Sequence, residues 1–123
     1  MRRRFAYDQS QDPPAPRLPV LFAAPGNEGA VLVSSLVDTG AECTLVPAEI
    51  ARRLHLPLVD RLVVEGLGGA ARRAPVHAAL VHFAGLRFLT RVIAFDREAI
   101  VGRDLLNRVS LLLDGPRQVV SVR

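Results

Sequence analysis

The chain has 123 residues, enough for one hydrophobic core but too few for two. Half of them are apolar while aromatics make up only 5%, so leucine, valine and alanine must build that core, a mix that suits a small β-rich domain. The net charge of +4 is carried wholly by arginine, and the absence of lysine excludes both a lysine Schiff base and a phosphate loop with its usual lysine.

Residues 1–17 read as a flexible, proline-rich arm, because Gln9-Ser10-Gln11-Asp12-Pro13-Pro14-Ala15-Pro16 offers nothing periodic to bury. Met1-Arg2-Arg3-Arg4 is basic, yet no apolar run follows it, which argues against a secretory signal. The globular domain is expected over residues 18–123. Residues 18–24 predict a strand and 25–29 its turn. Residues 30–37 predict an apolar strand that runs straight into Asp38-Thr39-Gly40.

A short strand is expected at 43–46, then a helix opened by Pro47 at its first position and lasting to about Leu54. Glu49 near its start and Arg52-Arg53 near its end suit the helix dipole. Strands follow at 62–65, 74–83 and 86–95, with Gly66-Leu67-Gly68-Gly69 as a flexible tip between the first two. Ile100-Val101-Gly102 is a short apolar run, 103–107 a helical turn or two, and 109–113 and 118–122 the closing strands. The fold class is therefore all-β, mainly strand with one or two short helices.

Asp38-Thr39-Gly40 is the informative triplet. A carboxylate ending an apolar strand is costly unless it is hydrogen-bonded. Taken alone, Asp-Thr-Gly is only a turn. Its surroundings add specificity: Leu36-Val37-Asp38-Thr39-Gly40-Ala41, then the glycine-rich Gly66-Leu67-Gly68-Gly69, then Ile100-Val101-Gly102-Arg103-Asp104-Leu105-Leu106. In that order these segments resemble the retropepsin-like (retroviral-type) aspartic proteases, over about residues 18–122.

The resemblance implies an acid-protease barrel, a single lobe that dimerises, with Asp38 as the catalytic carboxylate of an aspartic endopeptidase. Thr39 would bond across the dimer axis, and Gly40 would turn beside the carboxylates. Gly66, Leu67, Gly68 and Gly69 would form the flap, and Ile100, Val101 and Gly102 would pack beneath the catalytic loop. An Arg103–Glu42 ion pair would fix that loop from below. The one Asp-Thr-Gly per chain, with no internal repeat, implies a homodimer acting on polypeptide substrate. The strand at 118–122 is expected to pair with its own copy. Ala41 stands where a serine could donate to the dyad.

Other chemistries find less support. His77 and His82 fall on opposite faces of one strand, and the single Cys43 allows neither a zinc pattern nor an internal disulfide. No metal or cofactor is expected, and the lone cysteine agrees with a cytoplasmic address. No apolar stretch is long enough to span a membrane. The arginines are scattered with few aromatics between them, which argues against nucleic acid, although Arg2-Arg3-Arg4 as a basic arm keeps that reading open. The alternative within the fold is a catalytically weak dimeric peptide-binding module.

Overall fold

Alternation sets the first hairpin. In β2 (Arg17–Ala23) every second residue, Leu18, Val20 and Phe22, is buried, and the residues between them are half-buried. β2 turns back into β3 (Ala30–Val37), in register from Ala23↔Ala30 to Arg17↔Leu36. The computed structural model describes residues 2–26, 29–65, 68–97 and 99–123.

After β3 come β4 (Leu45–Val46), α1 (Ala48–Arg53), β5 (Leu58–Glu65), β6 (Ala71–Phe83) and β7 (Leu86–Ala94). Then follow β8 (Ile100–Val101), α2 (Arg103–Leu106), β9 (Leu111–Asp114) and β10 (Val119–Val122). The main sheet runs β2-β3-β8-β4-β7-β6-β5. β6 also pairs with β2 through Leu80–His82, which closes the sheet into a barrel and leaves β5 outside on one edge. At 13 residues β6 is long enough to serve three neighbours: β5 along its first half, β2 near its end, and β7 from Val76 to Phe83.

Phe22, Phe83, Val81, Val92, Val101 and Leu105 fill the barrel at 2% exposure or less, and Val120 and Val122 join the same cluster. An all-β architecture with two short helices is what the composition predicts. No described helix is long and apolar enough to cross a membrane.

The N-terminal segment differs from its reading as a flexible arm. Arg3–Ala6 forms β1, paired residue for residue with β10, and Phe5 and Tyr7 pack against the core. Beyond it Asp8 and Ala15 bridge through mutual backbone bonds of 2.7 and 3.2 Å. Arg17 clasps Asp8 at 3.3 Å, and the Ser10 hydroxyl and N–H hold the Asp8 carboxyl below its ordinary value. Three arginines and three prolines hid this pairing, because an edge strand with one inward aromatic has almost no periodic signature.

β10 is also placed otherwise than expected. It lies between β1 and β9, hydrogen-bonded on both sides, so it has no edge to offer a second copy. The outer edges of this sheet belong to β1 and β9, and β9 exposes Leu112 and Leu113. Smaller shifts have local causes. Pro47 is the N-cap, not the first helical residue, because its ψ of 137° is extended. β5 begins at Leu58 because β6 continues far enough to pair with it there, across a bulge.

If β1 is integral, Phe5→Ala should lower the free energy of unfolding by about 1–2 kcal/mol, less than for a fully buried phenylalanine. Urea denaturation checks this, and an unchanged midpoint would return the segment to the status of a tail.

Candidate active site

Where β3 stops is fixed by β8, which runs parallel to it with Leu36 beside Ile100 and Val37 beside Val101. Leu36 N–H donates to the Ala99 carbonyl at 2.8 Å, and Asp38 N–H to the Val101 carbonyl at 3.1 Å. The chain then leaves the sheet. The half-buried Asp38 accepts the Gly40 N–H on Oδ1 at 2.9 Å, while Ala41 N–H closes the turn on the Asp38 carbonyl at 3.2 Å. Thr39 and Gly40 are exposed.

The support beneath this loop is partly the expected one. Ile100, Val101 and Gly102 lie directly under it, and Gly102 has a steric reason. A Cβ there would sit 2.5 Å from the carbonyl oxygen of Cys43 and 3.1 Å from that of Ala41, so only glycine fits without moving the loop. Arg103 N–H donates to the Ala41 carbonyl at 2.9 Å and its Nη1 to the Thr39 carbonyl at 2.8 Å. The expected Arg103–Glu42 ion pair does not form: the pairs among the described residues are Arg17–Asp8 and Arg117–Asp114. The guanidinium has a backbone carbonyl to bond instead, and Glu42 is left exposed.

The bracing carboxylate is Asp104. Its Oδ1 accepts the Thr44 hydroxyl at 2.8 Å and the Leu105 N–H at 2.9 Å, and its Oδ2 accepts the Thr44 N–H at 3.2 Å. Thr44 is fully buried, and its hydroxyl oxygen accepts the Gly102 N–H at 3.2 Å. One side chain thereby ties the segment after the Asp38 loop to the start of α2. Sequence reasoning missed both residues. The available signal was Asp104 directly after Gly-Arg at a helix start, where a carboxylate bonds backbone N–H groups.

Beside the loop opens a cleft of about 480 Å³. Gly40, Ala41, Glu42 and Cys43 form one side, and Leu62, Val63, Val64 and Glu65 of β5 the other, with Leu45 and Ile93 also lining it. Ile93 belongs to a small second core with Ala74 and Val76, against which Cys43, Leu45 and Val64 pack. Burial, with the charges of Asp104 and Glu42 adding to it, pushes the Cys43 thiol up and keeps it neutral. In the hairpin tip above, Gly68 and Gly69 take φ of 88° and 78°, which suits glycine alone. Gly66 and Leu67 lie outside the described residues. Among the described residues no group of three or more His, Cys, Asp or Glu is placed to hold a metal.

Thr44→Val should cost about 2–3 kcal/mol, because it strands the buried Gly102 N–H and removes a charge-assisted bond to Asp104. Equilibrium unfolding measures it, and a loss below about 0.5 kcal/mol would show that the knot does not hold the loop.

With this geometry described, comparison with known proteins is direct. A family model described as aspartyl protease matches residues 26–112. No curated protein matches the sequence. Among solved structures, the EIAV protease in complex with the inhibitor HBY-793 aligns with a TM-score of 0.60 at 22% identity, covering 85% of this chain and 93% of that one. The retroviral protease-like domain of Ddi1 from Leishmania major aligns at 0.51 and 23% identity, covering 86% and 87% respectively. At such identities the two structures establish the fold, and the family match covers most of the chain, including the whole Asp38 loop and the Gly102 knot. The chain belongs to the aspartyl protease family and has the retroviral protease-like fold.

Proposed function

We propose that the chain is an aspartic endopeptidase that cuts polypeptides as a homodimer, with water activated between two copies of Asp38. The observation that carries this reading is the Asp38 carboxylate, fixed by the Gly40 N–H at 2.9 Å in a loop whose following residues, Gly40 to Cys43, line a cleft.

The dyad needs a second carboxylate, and the later aspartates of the same chain lie elsewhere. Asp104 is taken up by Thr44 and Leu105, Asp114 pairs with Arg117, Asp60 is exposed on β5 and bonds the Arg61 N–H, and Asp96 is exposed beyond β7. A two-fold axis supplies the missing group as Asp38 of a second copy. Two like charges so close cannot both ionise, so the pair shares one proton. The ionised member takes a proton from the bound water as its oxygen attacks the peptide carbonyl carbon. The protonated member gives its proton to the carbonyl oxygen. Collapse of the tetrahedral intermediate breaks the C–N bond and passes a proton to the leaving amine.

The open β9 edge is the surface that supports pairing. Its unpaired backbone groups and its exposed Leu112 and Leu113 would be covered by a symmetric copy. The exposed Thr39 would meet its counterpart at the same axis. Over the cleft, the hairpin tip carrying Gly68 and Gly69 would open for substrate and close to exclude water. An extended peptide beneath it would be held by main-chain bonds, with pockets reading its side chains.

Asp38→Asn should lower peptide cleavage by at least about 10²-fold, the scale of general acid–base catalysis, without loss of fold. A peptide-library assay on both proteins tests it, and cleavage that persists in the variant would sink the mechanism and favour an unrelated activity. Ala41→Ser should move the acid limb of the pH–rate profile to lower pH. A serine hydroxyl donating to the dyad favours its ionised form, so the catalytic pKa falls. An unmoved limb, or one shifted upward, would contradict this placement of Ala41.

A further inference from the structure

The charge of the cleft runs against the charge of the protein. The chain carries 16 basic and 12 acidic residues, all the basic ones arginine. Yet the cleft beside the catalytic loop is lined by two carboxylates, Glu42 and Glu65, and by no arginine. Neither glutamate belongs to an ion pair among the described residues, and Glu42 is left unpaired because Arg103 bonds the Thr39 carbonyl instead. Between them the walls are apolar: Leu45, Leu62, Val64 and Ile93.

Resting on the protease reading above, we infer that Glu42 and Glu65 make the cleft selective for polypeptides with an arginine or lysine two residues from an aliphatic one near the cut bond. The aliphatic side chain buries against Leu45, Leu62, Val64 and Ile93. The basic head reaches the carboxylates at the rim. Both glutamates are exposed, so each attraction is partly screened, but apolar walls concentrate the field of the two. In an extended peptide, side chains two residues apart point the same way, so a basic and an aliphatic position can address one wall together. A two-fold axis repeats that wall, so the preference falls on both sides of the cut bond.

Binding separates this inference from catalysis. In the Asp38→Asn protein, fluorescence anisotropy would compare a labelled aliphatic peptide containing arginine with the same peptide containing citrulline, its neutral isostere. The arginine peptide should bind about tenfold more tightly, the scale of two partly screened charge pairs. The preference should shrink at high salt and vanish in Glu42→Gln/Glu65→Gln. Equal affinity for the two peptides, no binding of either, or a preference that survives the double substitution would overturn the inference. Cleavage by the unsubstituted chain, measured alongside, reports separately on the protease reading: turnover of both peptides at equal rates leaves that reading intact while the inference fails.

Discussion

The site depends on one close contact, the passage of Gly102 beneath the Asp38 loop. With no side chain, Gly102 lets the carbonyl groups of Cys43 and Ala41 approach to distances that any Cβ would block. That approach places Val101 to receive the Asp38 N–H and Arg103 to hold the Ala41 and Thr39 carbonyls. The buried Thr44 and the Asp104 carboxylate lock it in place. A flexible turn could not keep an acidic side chain in one place. This one is secured through backbone bonds to two elements more than sixty residues away in sequence.

On the proposed reading, the same economy leaves the site incomplete within one chain. A single Asp-Thr-Gly supplies one carboxylate, and Asp104 is taken up by its bonds to Thr44 and Leu105. With β10 enclosed between β1 and β9, the strands left at the edges of this sheet are β1 and β9, and β9 carries the exposed leucines. The N-terminal strand thus has a second effect: it covers one side of β10.

Much of this was legible in the sequence, for identifiable reasons. The β2–β3 hairpin follows from two largely apolar runs on either side of a Pro-Gly-containing turn, and the end of β3 follows from the change from apolar residues to Asp38-Thr39-Gly40. The glycines at 68, 69 and 102 signal backbone requirements that favour glycine, a positive φ at the first two and a close backbone approach at the third. What was not legible depends on distance. Whether Arg103 meets Glu42 or a carbonyl is a matter of ångströms, and both outcomes suit an arginine at that position. β1 was hidden because an edge strand takes its stability from its partner, β10, about 115 residues away, and little from its own pattern. The acidic lining of the cleft was equally invisible, since Glu42 and Glu65 become neighbours of one cavity only when β5 folds over the loop.

The central claim is that two chains build one catalytic centre. Active-site titration with a tight transition-state isostere of the statine type tests it most directly, because the inhibitor counts centres while sedimentation counts chains. The account predicts complete inhibition at one inhibitor per two chains, with the activity confined to the dimer. A stoichiometry of one per chain, or full activity in a species sedimenting as a single chain, would contradict it.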